Sequence, residues 1–97
     1  AHPLAMSVDS KKNELGIGIC GSGNGINMTL NKHKDIRSAL CWEVELARLA
    51  RQHNNANVLA LPSRFISLEL AKKCAEAFVN EEFEGGRHER RVNKIKL

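Results

Sequence analysis

The chain has 97 residues, enough for one domain with a modest core and no more. Lys and Arg outnumber Asp and Glu by 15 to 11, and the late share of that excess sits in Arg87, Arg90, Arg91, Lys94 and Lys96. With three Phe, one Trp and no Tyr there is little to stack nucleic-acid bases, no apolar stretch approaches a membrane span, and the three cysteines are too widely spaced for a zinc pair or a disulfide scaffold.

Pro3, Leu4, Ala5, Met6 and Val8 predict a short amphipathic helix that leaves through the polar residues 9–13. The opening lacks the charged and apolar regions of a signal peptide, and with unpaired thiols this predicts a reducing cytoplasm. Leu15-Gly16-Ile17-Gly18-Ile19 is apolar without alternation, the pattern of a strand buried on both faces of a parallel sheet. A glycine-rich turn follows, and a helix over about 24–33 carries Ile26 and Leu30 on one face, with Lys32 and Lys34 at its end where cations suit the helix dipole.

Ser38-Ala39-Leu40-Cys41-Trp42 reads as a second strand. Glu43 and Glu45 then open a helix with Val44, Leu46, Ala47 and Ala50 as its apolar face, stopping near His53-Asn54-Asn55. Residues 57–61 form a third strand, ended by Pro62. Ser67 caps a long helix with Leu70, Ala71, Cys74, Ala75, Phe78 and Val79 at helical spacing, which runs to a break at Gly85-Gly86. The tail, 87–97, is short, basic and amphipathic through Val92 and Ile95. Strands separated by single helices predict an α/β fold, a Rossmann-like three-layer sandwich around a parallel sheet whose ligands bind beyond the carboxyl ends of the strands.

The turn Cys20-Gly21-Ser22-Gly23-Asn24-Gly25 lies at such an end, between a strand and a helix. Backbone N–H groups at a helix N-terminus favour negative charge, which suits both a thiolate and an anionic intermediate. This is not a dinucleotide fingerprint, because the third glycine is at the wrong offset and no acidic residue ends the next strand. Arg87 and Arg91 are four apart and share a face if the tail is helical; guanidinium forks suit phosphate. Cys41 and Cys74 read as packing residues, His2, His33 and His88 as residues without a special role, and Arg37 as half of a structural ion pair.

Ile19-Cys20-Gly21-Ser22-Gly23-Asn24-Gly25-Ile26, then Asn31-Lys32, then Ile36-Arg37-Ser38-Ala39-Leu40-Cys41, then Arg51-Gln52-His53-Asn54-Asn55-Ala56-Asn57-Val58, and finally Phe83-Glu84-Gly85-Gly86-Arg87-His88-Glu89-Arg90-Arg91 together resemble the ribose-5-phosphate isomerase B family. Galactose-6-phosphate and allose-6-phosphate isomerases share that fold and site. The cysteine loop combined with His53-Asn54 and Gly-Gly-Arg-His favours the ribose enzyme. Members of the family begin with a strand carrying a Ser-Asp-His-Ala-Gly-like motif, a helix and a second strand, whereas this sequence starts just after the family's Asp-Tyr-Pro segment. The resemblance thus implies that 1–97 is the C-terminal portion of one isomerase domain, its sheet incomplete at three strands plus flanking helices.

What the resemblance implies chemically is interconversion of ribose 5-phosphate and ribulose 5-phosphate through an enediolate, without cofactor or metal. Cys20 is implied as the base, Ser22 as the hydroxyl that trades protons with the sugar oxygens, and His53 as the group that opens the furanose ring. Gly21, Gly23, Asn24 and Gly25 would face the enediolate with backbone amides, Asn54 would bond a sugar hydroxyl, and Arg64, Arg87 and Arg91 would hold the phosphate. The family arrangement is a dimer, often paired into a tetramer, with the C-terminal arginines reaching the partner's site. A non-catalytic phosphosugar- or nucleotide-binding module and a hexose 6-phosphate isomerase are the competing readings.

Overall fold

A computed structural model describes residues 1–96; Leu97, the last residue of the predicted basic tail, lies outside the described residues. In chain order the elements are α1 (His2–Asp9), β1 (Gly16–Cys20), α2 (Asn24–Leu30), β2 (Ser38–Leu40), α3 (Val44–Gln52), β3 (Val58–Pro62), α4 (Leu68–Asn80) and α5 (Arg87–Asn93). All strands run parallel in the order β1-β3-β2, so the last strand in sequence is the middle one in space. That place explains its composition: every residue of Val58-Leu59-Ala60-Leu61-Pro62 is buried, and Pro62, which cannot donate to the ladder, stands at its end.

Helices cover both faces of the sheet. On one side Ala5 and Val8 of α1 and Leu30 of α2 meet Ile36 and Val58. On the other, Ala47 and Ala50 of α3 and Cys74 and Phe78 of α4 meet Leu59 and Leu61. The three-layer parallel architecture expected from the alternation of elements is the one observed. Ser67 caps α4 as predicted, its hydroxyl accepting a hydrogen bond from the Leu70 amide.

Four local expectations are corrected. β1 is not buried on both faces: Gly16 and Gly18 are buried, whereas Ile17 and Ile19 are 38% and 61% exposed. The glycines allow α1 and α2 to press close, since a Cβ at Gly16 would stand 2.8 Å from Leu4 Cδ1 and one at Gly18 2.8 Å from Ile26 Cδ1. The isoleucines point to the other face, where α3 and α4 lie over β3 and β2 and do not reach the edge strand.

α2 ends at Leu30 rather than near His33. Asn31 instead turns its side chain to β2, donating to the Ser38 carbonyl and accepting from the Ser38 amide. α4 ends at Asn80, short of Gly85-Gly86. The competing interactions belong to Glu81, whose carboxylate takes Gln52 Nε2 at 2.6 Å and faces Arg48 Nε at 3.5 Å, while its carbonyl accepts from Arg51 Nε. Arg37 bonds carbonyls rather than a carboxylate: its Nε donates to Asn55 O at 2.8 Å and its Nη1 reaches Asp35 O.

Candidate functional site

At the carboxyl edge of the sheet the chain leaves β1 through Cys20, which is exposed. The loop after β3 clamps it. The Ser63 amide donates to Cys20 O at 2.8 Å, the Ser63 hydroxyl bonds the same oxygen, and the Arg64 amide donates to Gly21 O at 3.0 Å. The Arg64 side chain lies over Gly21, where a Cβ would stand 3.1 Å from its Nε.

Gly23 has φ +78°, and a Cβ there would fall 2.4 Å from Leu40 Cδ1, so both the backbone conformation and the space demand glycine. Gly25 is different: its backbone is not left-handed and there is open space where a side chain would stand. Ser22 accepts a hydrogen bond from the Asn24 amide at 3.3 Å, and Asn24 and Gly25 open the first turn of α2. Cys20, Gly21, Ser22, Asn24, Gly25 and Arg64 thus gather at this end of the sheet around the buried Gly23.

The other two thiols are of a different kind. Burial, with Cys74 nearby, pushes the Cys41 thiol up to about 12, and burial also raises Cys74. Both stay neutral and pack in the core beneath α3 and α4.

A second cluster gathers at the opposite, amino edge. α3 starts after β2 ends and returns the chain to where β3 begins, so His53 at its C-terminus stands at the start of the strands. The loop it opens is held by two guanidinium groups. Arg51 Nη1 donates to Ala56 O at 2.6 Å and to Asn55 Oδ1, Arg37 Nε holds Asn55 O, and Asn57 is tied by its side chain to the Arg37 amide and the Asp35 carbonyl. Asn55 takes φ +49° within this frame, and Asn54 projects into solvent. Asn residues tolerate that left-handed conformation better than most.

The segment after α4 lies along the last turn of α3, with the Glu84 amide donating to Gln52 O at 3.0 Å. Gly85 and Gly86 then turn the chain, at φ +71° and +56°, into α5. This brings the His88 ring flat against His53, centroids 4.2 Å apart and planes 12° from parallel. Glu84 Oε1 stands 3.8 Å from His53 Nε2 and 3.6 Å from His88 Nε2. Burial, then His53 and the Arg87 guanidinium, hold the His88 imidazole below its ordinary value, with Glu84 pulling the other way. Arg87 and Arg91 are exposed on α5, whose Val92 is buried.

The residues singled out in the sequence therefore fall into two groups. Cys20, Ser22, the loop glycines, Asn24 and Arg64 lie at one end of the sheet; His53, Asn54, Arg87 and Arg91 lie at the other. Five-residue strands at roughly 3.3 Å per residue put about 15 Å between the two ends. Glu84 and His88 join the second group and were not singled out by sequence. Their signal was the spacing of four between them across the Gly85-Gly86 turn.

A family model described as Ribose/Galactose Isomerase matches residues 1–95. The chain belongs to that family. Ribose-5-phosphate isomerase B of Escherichia coli is 45% identical over 95 residues, 98% of this chain and 64% of that protein. A crystal structure of a ribose 5-phosphate isomerase from Thermotoga maritima superposes with a TM-score of 0.95 at 45% identity, covering 98% of this chain and 66% of that one. The ribose-5-phosphate isomerase B of Mycoplasma genitalium, solved with bound ribulose-5-phosphate, gives a TM-score of 0.90 at 47% identity over 94% of this chain and 60% of that one. The chain spans somewhat under two thirds of the length of the curated relatives it matches.

Proposed function

We propose that this chain is the C-terminal portion of a single isomerase domain that interconverts ribose 5-phosphate and ribulose 5-phosphate, with each reaction centre assembled from two copies. The observation that carries the reading is the placement of Cys20: of the three thiols it alone is exposed, and it ends a parallel strand at a loop whose glycine at 23 is sterically required. Gly25 fits the same picture, because nothing in the fold asks for a glycine there and its bareness leaves backbone open to a ligand. A relative solved with ribulose-5-phosphate bound supports the substrate class.

In this mechanism the Cys20 thiolate takes the proton from C2 of the open-chain aldose. The electron pair moves to make the C1–C2 enediolate, and the protonated sulfur returns its proton to C1. Backbone amides from Gly21 to Gly25 face the developing oxyanion, and the Ser22 hydroxyl moves a proton between the two sugar oxygens. His53 opens the ring, with Asn54 on a hydroxyl, and Arg64, Arg87 and Arg91 hold the phosphate.

The ~15 Å between sheet ends keeps the cysteine loop of one copy from its own His53 and C-terminal arginines. A two-fold pairing of copies removes the difficulty, setting the Cys20 loop of each against the His53 cluster of the other and making two equal centres. Trp42, Phe65 and Leu68, which follow β2 and β3 at the carboxyl edge and are 50%, 75% and 73% exposed, offer apolar surface for that contact. The unpaired thiols fit a reducing cytoplasm. Among the described residues no helix is long and apolar enough to cross a membrane.

The test uses the protein expressed from its complete gene. Cys20→Ala should lower turnover of ribose 5-phosphate by at least ~100-fold, the lower end of what a positioned base supplies, with phosphosugar still bound. Near-normal turnover would refute the assigned base, and binding without turnover in the unsubstituted protein would make it a non-catalytic phosphosugar module.

A further inference from the structure

The isomerase reading gives His53 a task and leaves Glu84 and His88 without one, yet three separate elements deliver these side chains to one place. His53 comes from the end of α3, Glu84 from the extended segment after α4, and His88 from the first turn of α5. Neither imidazole is hydrogen-bonded to the carboxylate, because 3.8 and 3.6 Å exceed hydrogen-bond length. The three groups converge without satisfying one another.

We propose that His53, Glu84 and His88 form a binding site for a divalent transition-metal ion of the zinc type, and that the ion, once bound, withholds His53 from the sugar and switches the isomerase off. Two imidazoles and one carboxylate are a ligand set that zinc takes readily, with water in the remaining position. One ligand atom from each residue lies within 4.8 Å of the other two. Three points so spaced always have a centre within about 2.8 Å of each, against the 2.0–2.2 Å of zinc–nitrogen and zinc–oxygen bonds, so each side chain need close by well under 1 Å.

The nearly parallel rings must hinge toward each other to aim both lone pairs at one ion, a motion about the soft terminal torsion of histidine. Entry is open, since the side chains of His53 and Glu84 are 39% and 51% exposed. Arg87 and Arg91 stand near enough to His88 to oppose a cation. Their charge weakens the site relative to a structural zinc site. No catalytic task is assigned to the ion; it competes with protons and substrate for the same imidazole.

Binding of the ion stands independently of the isomerase reading, whereas inhibition rests on it. The full chain is titrated with zinc chloride by calorimetry, in the wild type, in His88→Gln, in Glu84→Gln and in Cys20→Ser as the control for thiol binding. One ion per chain is expected. Each of the first two substitutions should weaken binding by at least about tenfold, a loss that even the outer partners of metal ligands produce, while Cys20→Ser leaves it unchanged.

Affinity unaltered in His88→Gln, or lost in Cys20→Ser, overturns the site. Should a variant fail to fold, cobalt(II) added to the wild-type protein decides. Visible bands of a four- or five-coordinate ion without thiolate charge transfer support the site, and their absence overturns it. In the protein from the complete gene, zinc should abolish ribose 5-phosphate turnover and a chelator should restore it. Zinc that binds while turnover continues overturns the switch, and a protein inactive before zinc is added overturns the isomerase reading while leaving the binding result intact.

Discussion

Two variants that are each inactive should regain turnover once they exchange subunits. Cys20→Ala removes the proposed base at the carboxyl edge of the sheet, and His53→Ala removes the proposed ring-opening group at the amino edge. Strands of five residues hold those edges about 15 Å apart, far beyond the reach of a cysteine side chain, so neither group can serve a centre with its own chain's partner. In a two-fold pair the Cys20→Ala copy still offers an intact His53 cluster to its neighbour, and the His53→Ala copy still offers an intact cysteine loop.

A mixed pair therefore holds one centre with both groups and one with neither. Random exchange of equal amounts makes half of the pairs mixed, so about one quarter of wild-type activity should return. The assay is ribulose 5-phosphate formation, followed as subunits exchange, with native mass spectrometry recording the mixed pairs. Mixed pairs that form without recovered activity would refute the shared centre. Near-normal activity in either variant before mixing would refute the role assigned to its missing group.

A small thiol reagent should label Cys20 in the folded protein and leave Cys41 and Cys74 untouched until denaturant is added, because those two are buried and held neutral; peptide mapping reads the pattern, and early labelling of Cys41 would contradict its place in the core. Gly23→Ala should cost stability as well as activity, on the order of 1–3 kcal/mol from the left-handed conformation alone and more from the contact with Leu40, whereas Gly25→Ala, with open space around it, should fold normally and lose activity only; urea unfolding separates the two.

Acidification should weaken the fold through His88. Its imidazole is held below the ordinary 6.5, so the native state binds fewer protons than the unfolded chain in the window just under that value, and stability falls as the pH drops through it. His88→Gln should flatten that part of the urea midpoint against pH, and an unchanged slope would show that another group is responsible.

The two kinds of information in this molecule are divided along clear lines. Local periodicity placed the three strands and the first four helices, though not all of their ends, and left the helix at 87–93 conditional; the cap at Ser67 was legible from its side chain alone. The errors share a cause. The ends of α2 and α4 were misplaced where a partner outside the helix took hold of the chain, Asn31 by bonding Ser38 of β2 seven residues on and Glu81 by bonding the distant Arg48, Arg51 and Gln52. The burial of β1 was overestimated because Gly-Ile-Gly-Ile is apolar at every position, and apolarity does not tell whether a strand is central or at an edge.

The pairing of His88 with His53 was illegible for the same reason, since 35 positions separate two residues that a turn at Gly85-Gly86 stacks face to face. By itself the order of amino acids determined which chemistry is available: one thiol on a glycine loop, a histidine and asparagine after a helix, and arginines late in the chain. Only the tertiary structure decided which of these meet. In a parallel sheet each crossover helix carries the chain back to the opposite edge, so residues that follow strands and residues that follow helices end up at different ends, and no local pattern records that distance.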